Sequence, residues 1–319
     1  MVTLENIKAA RERVRAIARV TPMVDVSSLA GCPLFLKCES LQPGGAFKIR
    51  GAYNMVAQLS DEQRRRGVVT FSSGNHGQAM ALAARELGAP AVVVMPTTAP
   101  KIKVEGAKTF GAEVIFAGTT SVDRRARAEE EAAARGLTMV PPFDHEMIIA
   151  GQGTLGLEIL DQLPAVDTVL VPVGGGGLLA GVAAAIKQSR PGVRVVGVEP
   201  VGAAAMKVSL EAGHVVTLPS TQSVADGLMP VRPGDLTFAH AQMFVDEVIT
   251  VDDERIVDAV LWLSDSAKIV AEPSGAATVA AALGGAAKGV TVAIISGGNI
   301  APEKLEELRV SQTAVNPEP

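Results

Sequence analysis

The sequence predicts an α/β protein built as two open parallel α/β lobes with a cleft between them. Three observations carry this expectation. From Gly67 to about residue 143, short apolar runs alternate with amphipathic stretches, and a second such run starts at about residue 145; repeated βα units imply a parallel sheet with helices on both faces. Of the 319 residues, 48% are hydrophobic and 20% charged, which is more core than one small module needs and leaves no case for wholesale disorder. Aromatics make up only 3%, and the small residues that dominate suit helices packed closely on a sheet.

The elements follow in order. Thr3 can cap a helix in which Leu4, Ile7, Val14, Ile17 and Ala18 recur at helical spacing, stopped by Thr21-Pro22. PLFLKCE (33–39) reads as a strand and 48–59 as a helix. Then come strand GVVTFSS (67–73), helix HGQAMALAARELG (76–88) closed by Gly88, strand PAVVVMP (90–96) and helix APKIKVEGAKTFG (99–111). Strand AEVIFAG (112–118), the charged helix VDRRARAEEEAAARG (122–136) and the short strand TMVPPF (138–143) complete the first run. The second has helix EMIIAGQGTLGLEILDQL (146–163), strand DTVLVPV (167–173), loop and helix GGGGLLAGVAAAIKQS (174–189) and strand VRVVGVEP (193–200). Helix DDERIVDAVLWLSDSAKIV (252–270) and strand VTVAIISGGN (290–299) come later, and SQTAVNPEP (311–319) reads as a frayed tail. No solenoid repeat is visible.

Charge and composition remove several function classes. The net charge is −5, with Arg64, Arg65 and Arg66 the sole basic triplet, read as a solvated helix end, so no nucleic-acid partner is expected. Cys32 and Cys38 fit no zinc or redox spacing and read as reduced residues of a cytoplasmic protein. His76, His145, His214 and His240 show no metal-ligand spacing. The N-terminal stretch is charged throughout, unlike a signal peptide, and no apolar run is long enough to span a bilayer.

Four stretches look chemical. Lys48, in GGAFKIRGAYN (44–54), lies between Phe47 and Ile49 after two glycines, an unusual setting for a surface lysine. Gly174, Gly175, Gly176 and Gly177 join a buried strand to a helix; four successive glycines cost chain entropy, but their free amides at a helix start form an anion nest suited to phosphate. The alternative is a tight turn, for which one or two glycines suffice. Gly175, Gly177 and Ala180 also match a dinucleotide fingerprint, with Glu199 near the ribose-binding position; that reading leaves Lys48 without a role. Ser72, Ser73, Gly74, Asn75 and His76 follow a strand, where open α/β sheets bind ligands, and suit a carboxylate better than they suit mere capping. Ser296, in SGGN (296–299), again sits at a strand's carboxyl end.

Five elements in order, GGAFKIRGAYN, SSGNHGQAMALA, PVGGGGLLAG, EPSGA and SGGN, resemble the fold-type II pyridoxal-phosphate enzymes, and within these the serine/threonine dehydratases (ammonia-lyases) and serine racemases, over about residues 15–300. The resemblance implies a tryptophan synthase β-like architecture, with the cofactor in the cleft between a large domain (1–56 and 145–319) and a small mobile one (57–144). It implies that Lys48 holds pyridoxal 5'-phosphate as a Schiff base, with Phe47 beside it and Asn75 at the ring's 3-oxygen. Gly174 to Gly177 and the Leu178 amide would hold the phosphate, and Ser296 would meet the ring nitrogen. Ser72, Ser73, Asn75 and His76 would receive the substrate carboxylate. Ser73 would be the second catalytic residue, since in the racemase relatives the serine at this place faces the substrate from the side opposite the lysine. A lysine in a partly apolar site can lose its proton and act as nucleophile and base.

The activity implied is β-elimination on a 3-hydroxy amino acid, L-threonine or L-serine, giving a 2-oxo acid and ammonia. Racemisation of serine, and dehydration of 3-hydroxyaspartate or phenylserine, are the alternatives. Departures from the family pattern narrow this. Ala46 replaces a common serine, and Met229-Pro230 stands where a racemase relative has a serine near the substrate. Glu199 and Ala203 match part of the racemase metal site, but Ala205 replaces its second acid, so no metal is expected. The little sequence after SGGN leads us to expect no added regulatory domain and so no isoleucine feedback. Arg124 and Arg125 read as part of a solvated face. A homodimer is the family expectation.

Overall fold

The computed structural model describes residues 1–72, 74–99, 101–119 and 121–315. Among the described residues there are ten strands: β1 (Met23–Asp25), β2 (Leu34–Cys38), β3 (Val68–Phe71), β4 (Ala91–Met95), β5 (Glu113–Phe116), β6 (Thr138–Met139), β7 (Thr168–Pro172), β8 (Arg194–Pro200), β9 (Glu247–Val251) and β10 (Thr291–Ile295). They form two sheets. One is four-stranded, in the order β5-β4-β3-β6, with every pairing parallel. The other is six-stranded, in the order β1-β2-β10-β7-β8-β9. It is parallel except at one edge, where β1 runs antiparallel to β2 with Val24 opposite Leu36. The expected all-parallel sheet is therefore corrected at that edge; the short link between β1 and β2 allows an antiparallel return, whereas a parallel one needs a long crossover.

The βα units match the expected order, with most boundaries shifted by one to three residues and the ends of 138–143, 252–270 and 290–299 shortened by four or five. Thr3 caps the first helix, Leu4–Val14, through a capping box closed by Asn6. Strands β1 and β9 and the helices Ala205–Ala212, Asp235–Phe244 and Pro273–Ala281 were not expected. The frayed-tail expectation is corrected for residues 311–315, which belong to helix Pro302–Val315. Leu308 buries itself on the core, and Arg309 forks onto Asp265 at 2.8 and 2.9 Å. Residues 316–319 lie outside the described residues.

Glycine contacts between helices position the two chemical ends of the site. A methyl group at Gly151 would stand 2.6 Å from Arg50 O, and one at Gly51 would collide with Gln152. On its other side, helix Glu146–Gln162 meets helix Gly177–Ser189, where a methyl at Gly181 would collide with Ile149 O. Backbones this close leave no slack. One helix thus sets the distance between the helix that starts at Lys48 and the helix that starts at the glycine turn. The apolar face of helix Lys48–Val56 (Ile49, Ala52, Met55, Val56) packs with Val68, Met80 and Val93 of the four-stranded layer.

Candidate active site

Lys48 begins its helix just after a turn that needs Gly44 (φ 78°) and Gly45 (φ 73°) in the left-handed region. Its Nζ donates to Pro142 O at 2.8 Å and stands 5.1 Å from the Phe47 ring. The residue keeps some surface, but the amine itself is enclosed, and burial lowers its pKa to about 8 from the ordinary 10.5. The hydrogen bond goes to a carbonyl rather than a carboxylate, so no bound anion holds the proton on.

Behind Lys48 lies a buried charge network that the sequence reading missed. Arg50 bonds Glu39 through Nε (2.7 Å) and Glu158 through both terminal nitrogens (2.7 and 2.8 Å), and Lys37 bonds Glu158 at 2.9 Å. Arg50, Glu39 and Lys37 are fully buried. Burial alone would raise the Glu39 pKa, but Arg50 outweighs it and holds the carboxyl below its usual range.

Strand β3 delivers Ser72, Gly74, Asn75 and His76 to the start of helix Asn75–Glu86. Ser73 lies outside the described residues. Gly77 and Gln78 donate to Gly74 O, so the Asn75 and His76 amides have no carbonyl of their own helix to bond. Ser72 Oγ accepts from the Gly74 amide at 3.3 Å. Asn75 Nδ2 donates to Glu272, and Asn75 Oδ1 accepts from Asn299 Nδ2 at 2.9 Å, which fixes the amide's orientation. The His76 ring is no cation for a carboxylate: burial, then the charge of Lys48, lower its pKa to about 3. Only the main-chain N–H of His76 is suited to an anion.

The glycine turn leads from β7 into helix Gly177–Ser189. Gly176 has φ 93°, and a methyl there would stand 2.6 Å from Met206 Cε and 2.8 Å from Thr237 Oγ1. Side chains at 175 and 177 would run into Phe143, and one at 174 would stand 3.0 Å from Gly227 O. No side chain caps this helix, so its first amides stay unbonded by the chain. Ser296 is 4% exposed just after β10; its main-chain carbonyl accepts from the Phe47 amide, while its hydroxyl makes a long contact of 3.4 Å to Ser274 O and is left able to meet another partner. Ala46 pairs with Gly297 across an isolated bridge where a serine was the family expectation.

Glu272, Lys103 and Asp226 also reach the site and were missed. Glu272 is buried, and burial raises its pKa to about 7. Lys103, on helix Lys101–Thr109, pairs with Asp226, and its Nζ is 3.7 Å from where a methyl at Gly74 would be. These partners are 197 and 123 residues apart in sequence, and no local pattern announces such pairs.

Glu199 is accounted for inside the chain. Its carboxylate accepts the Met206 and Lys207 amides at 2.8 and 2.9 Å, capping helix Ala205–Ala212. Ala203 is buried beside it, and no group of three or more His, Cys, Asp or Glu side chains able to hold a metal occurs among the described residues. Burial raises the Glu199 pKa to about 7 from 4.5. The folded chain then binds a proton that the unfolded chain has released, so this contribution is present below about pH 4.5 and lost as pH rises through about 7. Thermal melting of the cofactor-free protein is expected to weaken over that window, and Glu199→Gln to flatten the decline. Arg125 is exposed and pairs with Glu129 on its own helix, as expected of a solvated face. That reading is corrected at Arg124, which is half-buried: one terminal nitrogen donates to Thr119 O, while its Nε is buried with no hydrogen-bond partner among the described residues.

Residues 14–297 match the family described as "Pyridoxal-phosphate dependent enzyme". The chain belongs to the pyridoxal-phosphate-dependent enzymes. It is 45% identical over 305 residues to the L-threonine ammonia-lyase of Thermotoga maritima, covering 94% of this chain and 76% of that one. It is 41% identical over 308 residues to serine racemase of Oryza sativa subsp. indica, covering 93% and 91%. The structure of maize serine racemase superposes with a TM-score of 0.92 at 39% identity, covering 99% of both chains. The α/β fold with parallel sheets is that of fold-type II. The site fits pyridoxal phosphate: the glycine turn is a cradle that any Cβ would fill, its amides are free, and an amine of lowered pKa stands in the same cleft.

Proposed function

We propose that this enzyme removes water from a 3-hydroxy amino acid, L-threonine or L-serine, to yield a 2-oxo acid and ammonia. The observation that carries the reading is the state of Lys48: an enclosed amine, hydrogen-bonded to a carbonyl, with its pKa lowered to about 8. Such a group can attach to an aldehyde and, once displaced, take a proton near neutral pH. Bound pyridoxal phosphate supplies the electron sink. In this reading the amides opening helix Asn75–Glu86 hold the substrate carboxylate. Lys48 takes the α-proton and is placed to return it to the departing β-oxygen. Asn75, oriented by Glu272 and Asn299, faces the ring's 3-oxygen, and Gly174 to Gly177 with the Leu178 amide take the phosphate. The 57–144 lobe closes over the substrate, and a homodimer working in the cytoplasm belongs to the same reading. No helix among the described residues is long and apolar enough to cross a membrane.

The relative at 45% identity named L-threonine ammonia-lyase supports elimination. So does Glu199, whose two oxygens are already taken by amides and whose neighbour at 205 is alanine, unlike the metal-binding racemases. Serine racemisation is the second reading, favoured by similarity to racemases over nearly their whole length. Purified protein supplied with each L-amino acid decides between them: release of 2-oxo acid with ammonia supports elimination, and D-serine without 2-oxo acid overturns it.

Ser296 supplies a further test. With pyridoxal phosphate bound, the Ser296 hydroxyl would be a neutral partner for the ring nitrogen where an aspartate would be an anion, which would favour loss of the β-oxygen over side reactions. Ser296→Asp is expected to change the ratio of elimination to side reactions more than cofactor affinity. Unchanged product ratios would remove Ser296 from the argument.

A further inference from the structure

His76 is 2% exposed, yet its Nδ1 has no hydrogen-bond partner, while its Nε2 lies 3.1 Å from Val140 O. A carbonyl can only accept, so Nε2 carries the single ring proton and Nδ1 presents a bare lone pair. Burying such an atom without a donor is unfavourable. A donor that arrives only during the reaction would satisfy it. The geometry says which donor. The carbonyls of Val140 and Pro142, two residues apart on one segment, receive His76 and Lys48 respectively, which brings imidazole and amine to the same stretch of backbone. Phe143, next along, packs against the glycine turn at positions 175 and 177, so this segment also borders the phosphate end of the cleft.

After taking the α-proton, Lys48 has three N–H bonds, and Pro142 O satisfies one. In a cleft that excludes water the others need acceptors. We infer that His76 is a positioning residue for the base: its Nδ1 accepts a hydrogen bond from Lys48 Nζ when Lys48 carries the α-proton. The C–H bond breaks towards Nζ, the proton stays on Nζ, and the imidazole remains neutral throughout. The ammonium is thereby held in place to hand the proton to the departing hydroxide, which leaves as water. This inference rests on the reading of Lys48 as the base.

Two substitutions separate this role from a structural one. In His76→Gln the side-chain amide reaches about as far as Nε2, keeping the tether to Val140 O but losing the acceptor at Nδ1. In His76→Asn the amide oxygen reaches about as far as Nδ1, keeping the acceptor but losing the tether. The inference predicts that His76→Gln lowers kcat by about 10- to 100-fold with KM changed by no more than about twofold, and that His76→Asn retains the greater share of kcat. Equal losses, or the reverse order, overturn it. If either variant fails to fold, nitrogen NMR of the native holoenzyme carrying 15N-histidine still decides: the expected form has Nε2 protonated and Nδ1 bare throughout the pH range of activity, and an Nδ1–H form overturns the inference. Borohydride reduction of the holoenzyme followed by peptide mapping tests the underlying reading independently, since a pyridoxyl group on another residue defeats the Lys48 assignment whatever the histidine variants do.

Discussion

Replacement of Lys48 by alanine is expected to lower turnover of the preferred 3-hydroxy amino acid by at least about 10³-fold. Two contributions vanish together, the covalent anchor for the aldehyde and the base for the α-proton. Lys48→Arg is expected to fail equally, because a guanidinium stays protonated at any working pH. The fold should survive both changes, since the Lys48 amine makes one hydrogen bond to a carbonyl and belongs to no buried ion pair. The measurements are the rate of 2-oxo acid formation, the circular dichroism of the variants, and borohydride trapping, which should label position 48 in the native chain only. An alanine variant that turns over at the native rate would falsify the assignment.

The largest effect on stability is expected from Arg50→Ala. The side chain is fully buried and bonds both Glu39 and Glu158, so its loss leaves two carboxylates facing one lysine, Lys37. Stranding charge in this way costs about 3–5 kcal/mol, against a total stability of about 5–15 kcal/mol for a folded domain. A clear fall in the urea midpoint is expected, with Arg50→Lys intermediate because an ammonium keeps the charge but cannot fork between two carboxylates. The pH dependence has a definite sign. The Glu39 carboxyl is held below its usual range, so its contribution is present above about pH 4.5 and lost as acid titrates it. Arg50→Ala should remove that acid sensitivity. Native-like stability in the alanine variant would show that the network does not hold the helix carrying Lys48.

Much of the site was legible because it is local. A lysine between apolar residues, four successive glycines after a strand, and polar clusters at strand ends are short-range patterns, and each reports a need of the backbone or of a ligand at that point in the chain. Strand β9 and helix Pro273–Ala281 were passed over although EVITV is a strand-like run and Pro273 opens its helix at a favoured position. The charge partners could not be read in the same way. Arg50 finds Glu158 from 108 residues away and Asn75 finds Glu272 from 197, separations at which no periodicity applies.

The amino-acid order by itself determined the alternation of strands and helices, the placement of reactive loops at strand carboxyl ends, and the family of the chain, because these follow from periodicity, turn chemistry and short motifs. The tertiary structure alone decided which charges are balanced, that Lys48 sits near pH 8 and that His76 stays neutral with one bare nitrogen. It also showed Glu199 to be the cap of a helix start. The reason is physical: protonation depends on how much water is excluded and which distant groups are brought within a few ångströms, and neither quantity exists until the chain has folded.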